Sequence, residues 1–315
     1  MELRHLASFL AISEELHFGR AAARLHLAQP SLSQQLQRLE QSVGVQLVAR
    51  TSHEVRLTPA GAAFDVEARG ILAHVERACE AARQAAAGRT GSIRVGYNFP
   101  AGQYVLPRVL ARMHAELPDV VVTPREMRTG PQTAGLLDGS LDVGMVYGRP
   151  VDASLGSRRL LRIPLVALVG ERHPWASLGQ VPFSELASQS CLLFRREQSP
   201  AMYDLLTTTA QQAGFVLDVV DQVEDPVATS IVVSTRNVVG FCSAPRAAAV
   251  CSAATGIRPV ALSLVDPVPV LELHAAWRVD VDSPLVEEFL GCMKSAGPFG
   301  APGLRTEALR AVASG

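Results

Sequence analysis

The stretch "FGRAAARLHLAQPSLSQQLQRLE", residues 18–40, decides the reading of this chain. Two helical segments rich in Ala and Leu are separated by a short break, and Pro30 opens the second. Proline suits the first helical turn, where its missing N–H has no intrahelical partner to lose. Leu32, Leu36 and Leu39 repeat at helical spacing and define a buried face. Ser31, Gln34, Gln35 and Arg38 fall on the opposite face, with Ser33 and Gln37 flanking. That face is built of hydrogen-bonding groups instead of the Glu and Lys usual on a solvated helix. Gln can bond adenine bidentately, Arg can bond guanine, and Ser can serve bases or phosphates. Two close-packed helices with the second one read outward form a helix-turn-helix, and alanines at 21–23 and 28 let the helices approach. The free N–H groups of the first turn can also meet a phosphate.

The same spacing fits an ordinary helical hairpin with a polar face. Residues 1–58 carry six Arg against five acidic residues, a net of about +1 and a weak electrostatic footprint for DNA. Arg50, Arg56 and His53 add positive potential locally.

Outward from this stretch, Leu3, Leu6 and Leu10 give an apolar face to a preceding helix, broadened by Phe9 and Leu16. Gly44 ends the third helix after Val43. "VQLVARTSHEVRLTPAG" alternates weakly and breaks at Thr51–Glu54, as a two-stranded wing would. From Pro59, Phe64, Ala68, Ile71, Val75, Ala78 and Ala82 are spaced as a heptad-like stripe, and "AAAGRTGS" stops the helix. A long helix with a narrow apolar seam finds a partner helix, from a second chain or from its own domains.

After Gly91 strands and helices alternate. "SIRVGY", "VVVTPRE", "LDVGMVYG", "LVALVG", "CLLF", "VVDQVE", "VVGFCSA" and "ELHAAWRV" read as strands, and "YVLPRVLARMHAEL", "PAMYDLLTTTAQQAG" and "SPLVEEFLGCMKSAG" as helices. This is an α/β domain of largely parallel sheets. Its length and the lone return strand "ELHAAWRV" suit two lobes joined by a hinge. The segment after Gly297 reads as a mobile tail.

The formal charge of −1 over 315 residues excludes a polyelectrolyte. No secretory start and no run of 18 uncharged apolar residues are found, so a cytoplasmic protein without a membrane span is expected. The cysteines at 79, 191, 242, 251 and 292 have no metal-ligand spacing and read as reduced thiols, with a redox pair of Cys242 and Cys251 as the alternative. Paired carboxylates, Gly-rich phosphate loops and nucleophile elbows are missing and the histidines are dispersed, so neither an enzyme nor a cofactor or metal is expected. A solute-binding protein or enzyme with merely structural N-terminal helices is the competing reading.

The run "FLAISEELHFGRAAARLHLAQPSLSQQLQRLEQSVGVQLVARTSHEVRLTPAG" resembles the winged helix-turn-helix of LysR-type transcriptional regulators. The motifs "AAxxLxxxQPSLSxQxxxLE", "GxxLxxR" and "LTxAG" carry the resemblance, which extends loosely through the α/β part. It implies a winged helix-turn-helix over 1–58 (the helix-turn-helix at about 18–38) and a linker helix at 59–88. A two-lobed effector domain resembling periplasmic solute-binding proteins would occupy 90–297, with lobe I at 91–162 and 268–297, lobe II at 163–267, and a tail at 298–315. Carried onto matching positions, Gln29, Pro30, Ser31, Ser33 and Gln34 would contact DNA and Arg50 a phosphate, beside the base-reading Arg38. The implied partners are double-stranded inverted-repeat DNA, a small-molecule effector and further copies, as a dimer through 59–88 and a homotetramer of paired dimers. RNA polymerase is a further partner that the resemblance admits. Val48 departs from the family, which usually has an aromatic residue there.

In the effector domain, helix starts after "SIRVGY", at Thr129, after "CLLF" and at "EDPVATS" face the expected cleft. Candidate contacts are Asn98, Phe99, Pro100, Ala101, Thr129, Tyr147, Phe194, Arg195, Met202 and Thr229. These segments are similar to the branch that senses aromatic-degradation intermediates such as benzoate or muconate. That branch usually has Ser or Thr where Pro100 stands and Arg where Tyr147 stands. Both changes favour a larger or less charged aromatic ligand over a small dicarboxylate, unless Asn98, Thr129, Arg149 or Arg195 compensates. Each candidate also has a structural reading: Thr129 as a helix cap, Asn98 as a turn residue, Arg195 and Arg196 as a solvated pair, and Phe194 and Met202 as core.

Overall fold

The computed structural model describes residues 1–50, 55–86, 91–223, 226–252 and 259–299. Two compact units are present: Met1–Gly91 with Ala134–Ser140, and Ser92–Thr133 with the chain from Leu141 onward.

The first unit begins with α1 (Leu3–Glu15), α2 (Phe18–Arg24) and α3 (Gln29–Val43). A two-stranded antiparallel wing, β1 (Val48–Arg50) and β2 (Val55–Leu57), precedes the 28-residue α4 (Pro59–Ala86). The α1 face is centred differently from the sequence expectation. Leu6, Phe9, Leu10 and Ile12 are buried, while Leu3 and Leu16 are 45% and 50% exposed, Leu16 being the left-handed cap of the helix. Phe9 packs edge-on against Phe64 of α4 at 5.5 Å between ring centroids, and burying such a ring contributes roughly 1.5–3 kcal/mol.

His17 caps α2, its Nδ1 accepting from the backbone N–H of Gly19 and Arg20. Ala21 and Ala22 supply the close helix contact, whereas Ala23 and Ala28 are exposed. Helix α3 buries Leu32, Leu36 and Leu39 and ends on Gly44, whose φ is +84°. Glu40 ties this helix to the wing: its Oε1 accepts from the N–H of Leu47 at 2.8 Å and of Val48 at 3.1 Å. Of the α4 stripe, Phe64 and Ala68 pack into this same helical core. Ile71, Ala78 and Ala82 are exposed and Val75 is half-buried. The expected break at 51–54 lies outside the described residues.

The second unit continues with β3 (Gly91–Tyr97), α5 (Phe99–Tyr104), α6 (Leu106–Glu116), β4 (Val120–Glu126), α7 (Thr129–Leu137), β5 (Val143–Tyr147), β6 (Leu155–Gly170), β7 (Gln180–Pro182) and β8 (Ser190–Phe194). Then come α8 (Pro200–Gln212), β9 (Asp218–Val223), α9 (Pro226–Thr235), β10 (Gly240–Ser243), α10 (Ala244–Ser252), β11 (Pro259–Val265), β12 (Val270–Arg278) and α11 (Pro284–Ala296). An eight-stranded sheet runs β4-β3-β5-β12-β6-β11-β7, with β10 also on β6. The sheet is mixed, not largely parallel. Its β3–β5 and β11–β7 pairs are parallel, but β12 is antiparallel to β5 and β6, and β10 and β11 are antiparallel to β6; β8 and β9 form a separate parallel two-stranded sheet.

The 16-residue β6 explains this arrangement. Its first half pairs with β12 and its second half with β10 and β11, so one strand serves two hydrophobic cores. One core holds Ile93, Val95, Met145, Ile163, Leu273 and Phe289; the other holds Leu165, Phe183, Leu192, Phe241, Leu262 and Leu271. The changeover falls between Ile163 and Leu165 on β6 and between Leu271 and Leu273 on β12. Arg158, Arg159 and Arg162 conceal the first half of β6 in the sequence. They occupy its more exposed positions, Arg159 pairing across to Glu272 at 2.8 Å. Beyond Gly297, Phe299 packs on the first core and Arg108 stacks over its ring; the rest of the expected tail lies outside the described residues.

Candidate functional site

The outward face of α3 carries Gln29, Pro30, Ser31, Gln34, Gln37 and Arg38, all exposed, with Ser33 partly so. Gln35 does not belong to it. Its Oε1 accepts from the Ser8 hydroxyl at 2.6 Å, turning the side chain back onto α1. Arg50 lies in β1, and its side chain is outside the described residues.

The second site is a cavity of about 410 Å³ in the α/β unit. Asn98, Phe99, Glu126, Met127, Arg128, Thr129 and Tyr147 contribute from the side of the first core. Phe194, Ser199, Met202, Val227, Cys242, Ser243 and Arg246 contribute from the other. Parallel strand ends followed by helix starts bring these residues together, the arrangement by which α/β sheets form ligand crevices. The 126–129 segment is fixed by Met127 N–H donating to the Tyr97 carbonyl at 2.8 Å. Fully buried Gln132 donates to the Met127 carbonyl and accepts from Met145 N–H.

Six of the ten expected effector contacts line this cavity: Asn98, Phe99, Thr129, Tyr147, Phe194 and Met202. Pro100 and Ala101 do not; they are buried in the first turn of α5, under the Asn98 cap. Arg195 is exposed outside the cavity, and Thr229 is fully buried, with its methyl against Gly240. Arg149 is exposed and is not a lining residue, and Arg196 pairs with Asp204 at 2.7 Å.

Among the remaining residues the expected structural roles are partly exchanged: Asn98, expected as a turn residue, caps a helix, and Thr129, expected as a cap, bonds to a strand instead. Asn98 is the cap of α5, its Oδ1 accepting from Ala101 N–H at 3.2 Å. Its Nδ2 is buried and has no hydrogen-bond partner among the described residues. The Thr129 Oγ1 accepts from Tyr147 N–H at 3.0 Å, across to β5, which leaves the hydroxyl proton to donate. Burial pushes the Tyr147 phenol above its ordinary range, opposed by a hydrogen bond with Ser243, so it is a neutral group at physiological pH. Phe194 and Met202 are both core and wall.

Charge enters where the sequence reading did not look. Arg128 stacks over the Phe194 ring at 4.8 Å to its centroid, and Arg246 over the Phe99 ring at 4.0 Å. Arg246 also pairs with Glu126. Arg128 sits in the β4–α7 connection and Arg246 in the first turn of α10. Neither position has a periodicity that marks it, and only the convergence of the chain makes them neighbours of one cavity.

Burial disfavours the thiolate at Cys191 and at the candidate redox pair of Cys242 and Cys251. It raises the pKa of the pair and pushes Cys191 up to about 12, whereas a reactive cysteine needs thiolate character. Among the described residues no group of His, Cys, Asp and Glu could hold a metal ion, and no helix is long and apolar enough to cross a membrane.

A helix-turn-helix with a polar outward face, followed by a domain whose two cores flank a small-molecule cavity, defines a ligand-responsive DNA-binding regulator. The chain belongs to the LysR family: residues 3–62 match the bacterial regulatory helix-turn-helix protein, lysR family, and residues 86–298 the LysR substrate binding domain. It is 33% identical over 306 residues to the HTH-type transcriptional regulator IlvR of Caulobacter vibrioides, covering 94% of this chain and 99% of that protein. It is 40% identical over 205 residues to the uncharacterized HTH-type transcriptional regulator YnfL of Escherichia coli K12, covering 65% and 69%. The crystal structure of full-length CbnR with its target DNA matches with a TM-score of 0.65 at 25% identity, over 94% of this chain and all of that one. The protein is thus a DNA-binding transcriptional regulator with an effector-binding domain, not an enzyme.

Proposed function

We propose that this regulator reads an inverted-repeat operator through the outward face of α3 and is switched by a small aromatic or carboxylated effector in the α/β cavity. Residues 1–58 form the DNA-reading domain, 59–88 the linker, and 90–297 the effector domain, with its lobes meeting near residues 162–163 and 267–268. Gln29, Ser31, Gln34 and Arg38 supply base and phosphate contacts, with Pro30, Ser33 and Arg50 beside them. Asn98, Phe99, Thr129, Tyr147, Phe194 and Met202 surround the effector. Ligand closure of the lobes biases an equilibrium between assemblies, because only differential affinity can shift one. The protein acts in the cytoplasm, as a tetramer of paired dimers that contacts RNA polymerase.

The observation that supports DNA reading is that Gln34 and Arg38 are exposed while Leu32, Leu36 and Leu39 are buried on the other side of the same helix. With an operator selected from random duplexes, Gln34→Ala is expected to weaken specific binding by about 1–3 kcal/mol while leaving non-specific binding and its salt dependence intact. Fluorescence anisotropy at fixed salt measures both, and equal losses on the two DNAs would remove α3 as the base reader.

Pairing through α4 is supported by the apolar stripe along it, in which Ile71, Ala78 and Ala82 are exposed and Val75 is half-buried. Two such helices bury this seam against each other. Val75→Glu places a charge within the seam and is expected to halve the mass seen by light scattering, whereas an unchanged mass would show that the subunits associate elsewhere.

A further inference from the structure

The cavity's two guanidinium groups are arranged reciprocally. Arg128, from the β4–α7 connection, lies on Phe194 at the end of β8; Arg246, from α10, lies on Phe99 at the start of α5. Each cation therefore sits on a ring belonging to the opposite wall. Glu126, the last residue of β4, adds an ion pair to Arg246 across the same gap. These three groups are the charged members of the lining, two positive and one negative.

The remaining wall offers donors and apolar surface. Asn98 is only 6% exposed, yet its Nδ2–H groups have no acceptor among the described residues, an arrangement that costs free energy unless a ligand or water supplies one. Thr129 retains a hydroxyl proton, and Met127, Met202, Val227 and Phe194 are apolar. The volume lies at the small end of the ~300–1,000 Å³ usual for ligand sites.

We propose that the cavity selects a compact monocarboxylate with an apolar body, and that Glu126 acts as a built-in competitor whose carboxylate the effector displaces from Arg246. This rests on the cavity being the effector site. The side chains of Glu126 and Arg246 are 47% and 24% exposed, and an ion pair so open to water contributes little. A ligand carboxylate that adds Asn98 as a donor and an apolar body takes the guanidinium at small cost. The displaced Glu126 stays at the rim and repels a second negative charge, so a dianion is disfavoured. Displacement also cuts the Glu126–Arg246 tie between the walls and replaces it with a tie through the ligand, which gives the two lobe arrangements different ligand affinities.

The test uses the full-length protein, titrated calorimetrically with benzoate, its neutral isostere benzamide and the dicarboxylate terephthalate. Wild type is expected to bind benzoate and to reject the other two. Glu126→Gln is expected to bind benzoate about two- to fivefold more tightly, the range set by a half-exposed pair, and to admit terephthalate. Arg246→Gln is expected to lose benzoate. Met202→Trp, which fills the cavity without touching the ion pair, separates the two levels of inference. Benzoate binding that survives Met202→Trp would overturn the cavity as the effector site. Binding lost in Met202→Trp but unaffected by Glu126→Gln would overturn the competitor alone. Failure of benzoate to bind either wild type or Glu126→Gln at saturating concentration would overturn the monocarboxylate assignment.

Discussion

Gly61→Ala is expected to remove operator binding and to destabilise the N-terminal unit by about 3 kcal/mol or more. A Cβ at this position in the first turn of α4 would lie 1.9 Å from the carbonyl oxygen of Leu47 and 2.9 Å from its carbonyl carbon. The obstacle is backbone, and that backbone is held from several directions. Leu47 N–H donates to the Glu40 carboxylate, Leu47 O accepts from Thr58 N–H at 2.9 Å, and the Leu47 side chain is fully buried. Thr58 in turn accepts from Gly61 N–H at 2.9 Å through its hydroxyl, which fixes the start of α4 against the entry to the wing. An added methyl must therefore tear the wing from α3 or displace the first turn of α4. Thermal unfolding followed by circular dichroism should show the transition of this unit lowered by about 10–20 °C. A variant that melts within about 2 °C of wild type would show that the contact yields freely.

Gly130→Ala is expected to act on the effector domain while sparing DNA binding. Its Cβ would meet the carbonyl oxygen of Glu197 at 1.8 Å, and its N–H donates to the Gln198 carbonyl at 3.1 Å. Here the two cavity walls meet closely: the first turn of α7 lies against the loop after β8. The walls must part until the contact returns to an ordinary 3.4–4 Å, which disturbs the Arg128–Phe194 stack and the Thr129 contact with β5. The expected loss is about 2–3 kcal/mol of stability for this domain and at least about tenfold in effector affinity, the equivalent of 1.4 kcal/mol of misplaced contacts. Thermal-shift titration with aromatic acids measures both. A ligand that stabilises the variant as much as wild type would show that the walls tolerate the extra separation.

These glycines mark a boundary in what the sequence discloses. Gly61 is visible as the end of "LTxAG", but no pattern in the chain names Leu47 as the atom group it must clear. Gly130 carries no motif at all. The helix-turn-helix, in contrast, is legible from residues alone, because Leu32, Leu36 and Leu39 repeat at the helical period and their buried role follows from it. Gln35 shares that polar face in any helical projection. Only α1 packing alongside, with Ser8 within hydrogen-bond reach, takes Gln35 out of the DNA-reading set.

In the α/β domain the helix starts at Asn98 and Thr129 are legible because capping and hydroxyl chemistry have local signatures. The first half of β6 is not, since its arginines obscure the alternation until β12 lies beside it. Tyr147 in place of the branch's usual Arg, together with Pro100, favours a larger or less charged ligand over a small dicarboxylate. Folding brings two cations to the cavity from positions 128 and 246, which are 118 residues apart by number (246 less 128) and without shared periodicity.

The sequence by itself determines the helix-turn-helix, most of the outward face of its second helix and the family, because these depend on spacings of a few residues along the chain. The tertiary structure decides the mixed sheet, the close approaches at Gly61 and Gly130, and the charge of the cavity. Those depend on which distant backbone and side-chain groups are brought within a few ångströms, and no local pattern records that.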